Sequence, residues 1–344
     1  MRGLFFTGDS NVEIMDIKKP TPGSGEVILK MKSSGICGSD LKNLRASKSE
    51  KDAEGELVVP GHEPVGVVAE IGLNVKGLKV GDRIMMHHYT GCLRCNMCRI
   101  GYTQMCSKGT TVYGTGAGGG HQDYMLVPAY TCIKMPDELG FVEAAACSCG
   151  TGTAFHAVKR VSPTGLDTVV IFGQGPVGLS ATMFAAQMGA RVIAIDVVES
   201  RLELAKTLGA ETVINSTGVN IEEVVREFTD GEGADISLEV TGIPEVRIQA
   251  LNSVRSWGKV CFIGEGPMDI PIDISASIIH RQLSVMGSWT FSQSGLSEVA
   301  RFVVERNSPM DKLITHTFDI ERGQEAYDLF VSGNTGKVIF SWEI

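Results

Sequence analysis

The stretch Thr168–Ala181, Thr-Val-Val-Ile-Phe-Gly-Gln-Gly-Pro-Val-Gly-Leu-Ser-Ala, lies near the midpoint of the 344-residue chain and constrains its fold more than any other. An apolar, β-branched run ends in Gly173-x-Gly175-x-x-Gly178 and passes into a helical pattern, so the glycines fall where a buried strand turns into a helix. Each glycine has its own task at such a turn. Gly173 permits the tight bend, Gly175 lets backbone approach a pyrophosphate, and Gly178 lets the helix lie against the strand. Pro176 and Val177 open the helix, where unpaired N–H groups favour phosphate, and they count with the glycines as cofactor contacts.

A glycine turn alone is a weak signal, and its surroundings carry the argument. Arg191-Val-Ile-Ala-Ile-Asp196 reads as the next parallel strand, ending in a carboxylate 18 residues past Gly178, where a ribose hydroxyl needs an acceptor. The bland alternative is an ordinary strand–turn–helix with an exposed aspartate. Asp196 repels a ribose 2′-phosphate, and the next basic residue, Arg201, comes only five positions later and is grouped with the cofactor contacts. NAD is therefore expected in preference to NADP.

From residue 168 onward strands and helices alternate: a helix at 199–208, a strand at 212–215, a helix at 220–229, a strand at 234–240, a helix at 244–254, and strands at 259–264 and 283–287. That is the pattern of a doubly wound parallel sheet. The N-terminal half instead alternates short apolar runs with Gly and Pro, at Val27–Lys32, Val65–Ile71, Asp82–Met86 and Tyr124–Val127, the spacing of a small, mostly antiparallel barrel. The tail holds one helical pattern, Leu296–Glu305, and a last strand at Val338–Phe340, too little for a domain of its own, and is expected to return to the N-terminal domain. The most charged loop is Lys42–Glu56. A net charge of −9 argues against a nucleic-acid or acidic-membrane partner. No run of eighteen apolar residues occurs, and Leu4-Phe5-Phe6 is followed by no cleavage pattern, so a cytoplasmic protein with no membrane partner is expected.

Four of the nine cysteines crowd into Cys92-x-x-Cys95-x-x-Cys98-x7-Cys106. Four thiolates so spaced close a tetrahedron around Zn²⁺ with no open position, a structural site; two disulfides or four unconnected thiols are the alternatives. A catalytic site needs fewer protein ligands. Cys37 in Gly-Ile-Cys-Gly-Ser-Asp, His62 in Pro-Gly-His-Glu-Pro and Cys149 in Cys-Ser-Cys-Gly-Thr-Gly-Thr are the candidates, each also readable as an ordinary packing residue.

Taken together, Gly35–Asp40, Gly61-His-Glu63, the four-cysteine lobe, Cys149–Thr153 and the central glycine turn resemble the zinc-dependent medium-chain dehydrogenases, the alcohol and polyol dehydrogenase superfamily. The resemblance implies an α/β chain: a GroES-like, mostly-β catalytic domain at 1–152 and 288–344, and a Rossmann NAD-binding domain at 153–287. It implies two zinc ions per subunit and NAD. Cys37, His62 and Cys149 would ligate the catalytic zinc, with Glu63 close behind as an exchanging ligand or support, and Cys92, Cys95, Cys98 and Cys106 the structural one. Asp40 would orient His62, since a ligating imidazole usually donates its other N–H to a carboxylate. Ser39 would bond the substrate oxygen and begin the proton path, Thr153 would contact the nicotinamide, and segments containing Gly264 and Ser288 would approach its ring.

The sequence departs from its relatives in places. Many carry an acidic residue at the position of Cys149, and Cys147 is a nearby rival. Many end the proton path in a histidine where this chain has Lys42, and lysine passes a proton only if burial lowers its pKa. His121 and His156 read as structural. Arg45, Lys48 and Lys51 in the segment Leu41–Leu57 reach either solvent or an oxygen-rich or anionic substrate, and Tyr113 and Trp289 either wall a pocket or simply pack. The resemblance points to a secondary alcohol or polyol oxidised to its ketone, in a homotetramer or, less commonly, a homodimer. A zinc-dependent aldehyde or ketone reductase running in reverse, and a non-catalytic NAD-sensing protein, are the alternatives.

Overall fold

The computed structural model describes residues 1–55, 57–266 and 269–343. The N-terminal apolar run becomes β1 (Arg2–Gly8), which turns at Asp9 and Ser10, both at positive φ, into β2 (Asn11–Asp16). Two such residues give the turn the twist that a two-residue hairpin needs. Alternation then builds β3 (Glu26–Gly35), β4 (Glu63–Ile71), β5 (Arg83–Met86), β6 (Tyr124–Pro128) and β7 (Cys132–Lys134), all paired antiparallel.

The second half forms one sheet of six parallel strands: β8 (Thr168–Phe172), β9 (Arg191–Asp196), β10 (Thr212–Asn215), β11 (Ala234–Glu239), β12 (Val254–Phe262) and β13 (Ser284–Gly287). Their order, β10-β9-β8-β11-β12-β13, reverses between β8 and β11, the switch point at which a doubly wound sheet receives its ligand. The helix Pro176–Gln187 is buried on every face from Gly178 through Ala185, whereas Glu199–Thr207 buries only Leu202 and Ala205. Val170, Phe172, Ile193, Ile195 and Ile214 join Ile221 and Val225 of a neighbouring helix in the core.

The tail adds β14 (Ile314–Phe318) and β15 (Lys337–Ser341), so the first sheet runs β14-β15-β3-β4-β5-β7, with β6 also on β3. Among the described residues these ladders do not close on themselves, so the expected barrel is an open sheet whose one parallel pair is β14 with β15. Two cores serve it, one around Val27, Leu29, Met31, Ile84 and Met86, the other around Leu4, Ile36, Tyr327, Val338 and Phe340. The chain divides into two compact units, 1–152 with 291–332 and 337–344, and 153–290 with 333–336.

The charged segment after Leu41 is not a loop. It holds the helices Asp40–Leu44 and Lys48–Glu54, the second started by a reciprocal cap between Ser47 and Glu50. Glu56, also within the expected loop, lies outside the described residues. Among those residues, no helix is long and apolar enough to cross a membrane.

Candidate active and cofactor sites

Three distant segments build a buried donor cluster in the first unit. At the end of β3 the Ile36 N–H donates to Val338 O, and Cys37 follows in the bend before the helix Asp40–Leu44. Asp40, only 2% exposed, accepts the Cys37 N–H on Oδ2 at 2.9 Å and lies with Oδ1 3.0 Å from His62 Nδ1. That contact aims Nε2 of His62 inward, 3.2 Å from Ser39 Oγ. The bend before His62 requires glycine: Gly61 has φ +92°, and a Cβ there would strike the His121 ring. Cys149 comes from a wide π-helical turn, Cys147–Thr151, between the helices Phe141–Ala146 and Gly152–Val161. Such one-turn widenings recur at functional sites.

Cys37, His62, Glu63 and Cys149 each bring a donor atom within 4.8 Å of the others. Cys147 is buried outside this group, its thiol pushed up to about 12 by burial. A hydrogen bond from Cys149, with His62 nearby, holds the Cys37 thiol well below the usual range, and the same bond together with burial raises Cys149 well above it. Burial opposes charge on His62, yet Asp40 and Cys37 raise it well above an ordinary imidazole. Burial lifts Glu63 to about 7 against the pull of Lys337. Lys337 Nζ donates to Glu63 Oε1 at 2.5 Å and lies equally close, 2.5 Å, to the buried Oε2, which receives no second hydrogen bond. Two sulfurs, one imidazole and a nearby carboxylate are a donor set fit for Zn²⁺.

Sequence reasoning missed Lys337, His87 and His88. His88, fully buried, lies edge-on to His62 with ring centroids 5.0 Å apart, and His87 holds Phe291 O at 3.1 Å. Two histidines continuing the apolar strand Arg83–Met86 were the available signal. His121 is structural, bonded to Ser34 and Tyr327 at 2.9 Å each. Tyr113 packs on the sheet core and Trp289 is half-exposed. Lys42, Arg45 and Lys48 are exposed, whereas Lys51 helps line a cavity of about 270 Å³ with Asn43, Leu57, Pro60 and Thr115.

The second cluster comes from one stretch. Cys92, Cys95, Cys98 and Cys106 bring their sulfurs within 4.8 Å, near the ~3.8 Å spacing that a 2.3 Å tetrahedral Zn–S bond sets. Backbone N–H groups of Cys95 and Lys108 point at Cys92 and Cys106 sulfurs at 3.4 Å, and that of Cys92 at Cys106 at 3.3 Å. Such donors favour thiolates; backbone bonds bring the Cys95 thiol down to about 6. Leu93 takes positive φ so that the chain can fold round the site.

In the second unit Gly173 has φ +91°, Gly175 faces open space, and a Cβ at Gly178 would collide with Gly173 O. Pro176 and Val177 start the helix. Asp196, at the end of β9, is buried: its oxygens accept the N–H groups of Gln174, Val197 and Val198. Arg201 donates to Gly333 O at 2.7 Å and lies 3.9 Å from Asp196. Gly264 packs directly on Gly242, leaving no room for side chains, and Ser288 follows β13 with its hydroxyl buried and unbonded. Thr153 is half-buried at the start of its helix.

Residues 23–137 match the family model "Alcohol dehydrogenase GroES-like domain" and 176–305 match "Zinc-binding dehydrogenase". The uncharacterised zinc-type alcohol dehydrogenase-like protein YphC of Escherichia coli K12 is 35% identical, over 99% of both chains. The chain belongs to the zinc-dependent medium-chain dehydrogenase/reductase family. As a dehydrogenase of this family it is an oxidoreductase of alcohol dehydrogenase type. Among its relatives is the L-threonine 3-dehydrogenase of Pseudoalteromonas translucida, 32% identical over 97% of each chain. Among solved structures, an alcohol dehydrogenase (rspB) from E. coli CFT073 complexed with NADH matches with a TM-score of 0.89, 27% identity and 99% coverage of both chains. The alcohol dehydrogenase TADH from Thermus sp. ATN1 matches equally, at TM-score 0.89 and 27% identity, again over 99% of both chains. Both donor sets and the glycine turn of this dehydrogenase thus stand in a fold whose relatives use zinc and a nicotinamide dinucleotide.

Proposed function

We propose that this dehydrogenase oxidises a secondary alcohol or polyol to its ketone with NAD, using Cys37, His62 and Cys149 as ligands of a catalytic zinc and Glu63 as an exchanging one. The observation that carries the reading is the donor cluster of two sulfurs, an imidazole and a carboxylate, whose ligand atoms all lie within 4.8 Å of one another. Held by Cys37, His62 and Cys149, zinc would supply Lewis-acid chemistry, lowering the pKa of the substrate hydroxyl. Asp40 fixes the His62 tautomer and ring. Ser39, exposed and beside His62, takes the hydroxyl proton and passes it to water, so the exposed Lys42 is not needed as a relay. Thr153, Gly264 and Ser288 would hold the nicotinamide ring, which would supply the hydride acceptor. Gly173, Gly175, Pro176, Val177 and Gly178 take the pyrophosphate, and Asp196, flanked by Arg201, takes the adenosine ribose.

The likeness to threonine dehydrogenases brings amino alcohols into the test. NADH formation by zinc-replete protein is measured across secondary alcohols, sugar alcohols and amino alcohols, with NADP in parallel. Turnover of one group with NAD supports the reading; silence of the whole panel with both cofactors overturns it. A homo-oligomer, tetrameric or dimeric, is part of the proposal. The edge strand β13 is largely exposed and carries the exposed Val285, the segment leading to it exposes Ile274 and Ile279, and an unpaired edge of this kind is normally covered. Light scattering in solution tests it, and a monomer at micromolar concentration would contradict it.

A further inference from the structure

Among the described residues Lys337 is the one lysine or arginine that is buried, 1% exposed at the first position of β15, and neither the metal ligands nor the cofactor contacts account for it. A lysine–glutamate pair taken fully out of water is expensive, and apolar residues of the same volume usually serve stability as well. The reason for keeping it lies in what the pair ties together. Lys337 Nζ donates to Ile36 O at 2.8 Å, one residue before Cys37, and to Glu63 Oε1 at 2.5 Å, one residue after His62. Glu63 Oε1 in turn accepts the Gly150 N–H at 3.3 Å, one residue after Cys149. The hub therefore reaches each of the three segments that carry a candidate ligand, through a chain neighbour of each.

We infer that Lys337 is a positioning residue for the catalytic metal: it holds the backbone of the three ligand segments in register and pins the Glu63 carboxylate, both of whose oxygens lie 2.5 Å from its ammonium, beside the donors. Two thiolates balance the charge of Zn²⁺, and the ammonium balances Glu63, so the carboxylate can stand next to the ion without adding net negative charge to a buried site. The inference rests on the ligand set proposed above.

Zinc release to a chromogenic chelator separates the two ideas. The wild-type chain is expected to release two zinc ions, and a single ion would overturn the ligand proposal itself. In Lys337→Met one ion leaves faster by about 10- to 100-fold, the range typical when support behind a metal ligand is lost, while the ion of the four-cysteine lobe leaves at its wild-type rate. Lys337→Arg restores slow release. The double variant Glu63→Gln/Lys337→Met, which buries no charge, folds even where the single variant fails, and speeds release relative to Glu63→Gln by less than Lys337→Met does relative to the wild type. Equal acceleration of both ions, wild-type release from Lys337→Met, or additive effects in the double variant would overturn the inference.

Discussion

The two donor clusters use the same chemistry and are built in opposite ways. Cys92, Cys95, Cys98 and Cys106 lie within fifteen residues, close their own site, and fix it with local N–H···S bonds. Cys37, His62 and Cys149 are far apart in sequence and depend on two sheet strands, a π-helical turn, Asp40 and a buried ion pair to meet. A local site can complete its own coordination, and so it stabilises. A site assembled at long range can leave a position open, and its geometry is set by groups that are not ligands. That is the arrangement chemistry requires.

The comparison can be broken most directly by His62→Ala. Loss of several kcal/mol of electrostatic stabilisation should lower alcohol-dependent NADH formation roughly a thousandfold, with one zinc ion retained. A variant still within tenfold of wild type would mean that the buried cluster is not the reaction centre. Asp196→Ala should leave both ions in place and raise the KM for NAD by about 10- to 100-fold, the worth of a hydrogen bond to a charged group, while shrinking the preference over NADP. Unchanged kinetics with both cofactors would remove Asp196 from the site. Cys95→Ser should do the reverse of His62→Ala: a melting temperature lower by roughly 5–10 °C, read by calorimetry, with kcat near wild type below that temperature.

The smallest effect concerns the support behind Gly61. Burial brings His121 down to about 4. The unfolded chain therefore takes up this proton first, at about pH 6.5. The stability contributed by neutral His121 is complete above that pH and is lost as the pH falls towards 4. His121→Phe removes that component, so its stability should fall less steeply between these limits than that of the wild type, measured by urea melts at several pH values. Parallel slopes would show that His121 titrates normally. The substitution also leaves Ser34 and Tyr327 without a partner, at a cost of about 1–3 kcal/mol across the whole range.

What could be read from the chain follows the same division. The glycine turn and the cysteine lobe were legible because their chemistry is spelled out by spacing within one segment. The strands of the parallel sheet could be placed from the alternating pattern, since buried parallel strands are apolar on both faces, as Thr168–Phe172 is. The first sheet was less legible. Ile314–Phe318 alternates cleanly and could have been found, and Ser47 with Glu50 three residues later marks a helix start inside what read as a charged loop. Lys337 could not have been found. A lysine ahead of Val338-Ile-Phe reads as the polar end of a strand, and only contact with Glu63, 274 residues away in sequence, explains its burial.

Stepwise removal of zinc from the wild-type enzyme, with released metal, NADH formation and melting temperature followed on the same samples, tests the central claim most directly. Activity should vanish in step with one ion per chain, and thermal stability should fall in step with the other. Activity that outlasts both ions, or that declines equally with each, would contradict a division of the two clusters into one for structure and one for chemistry.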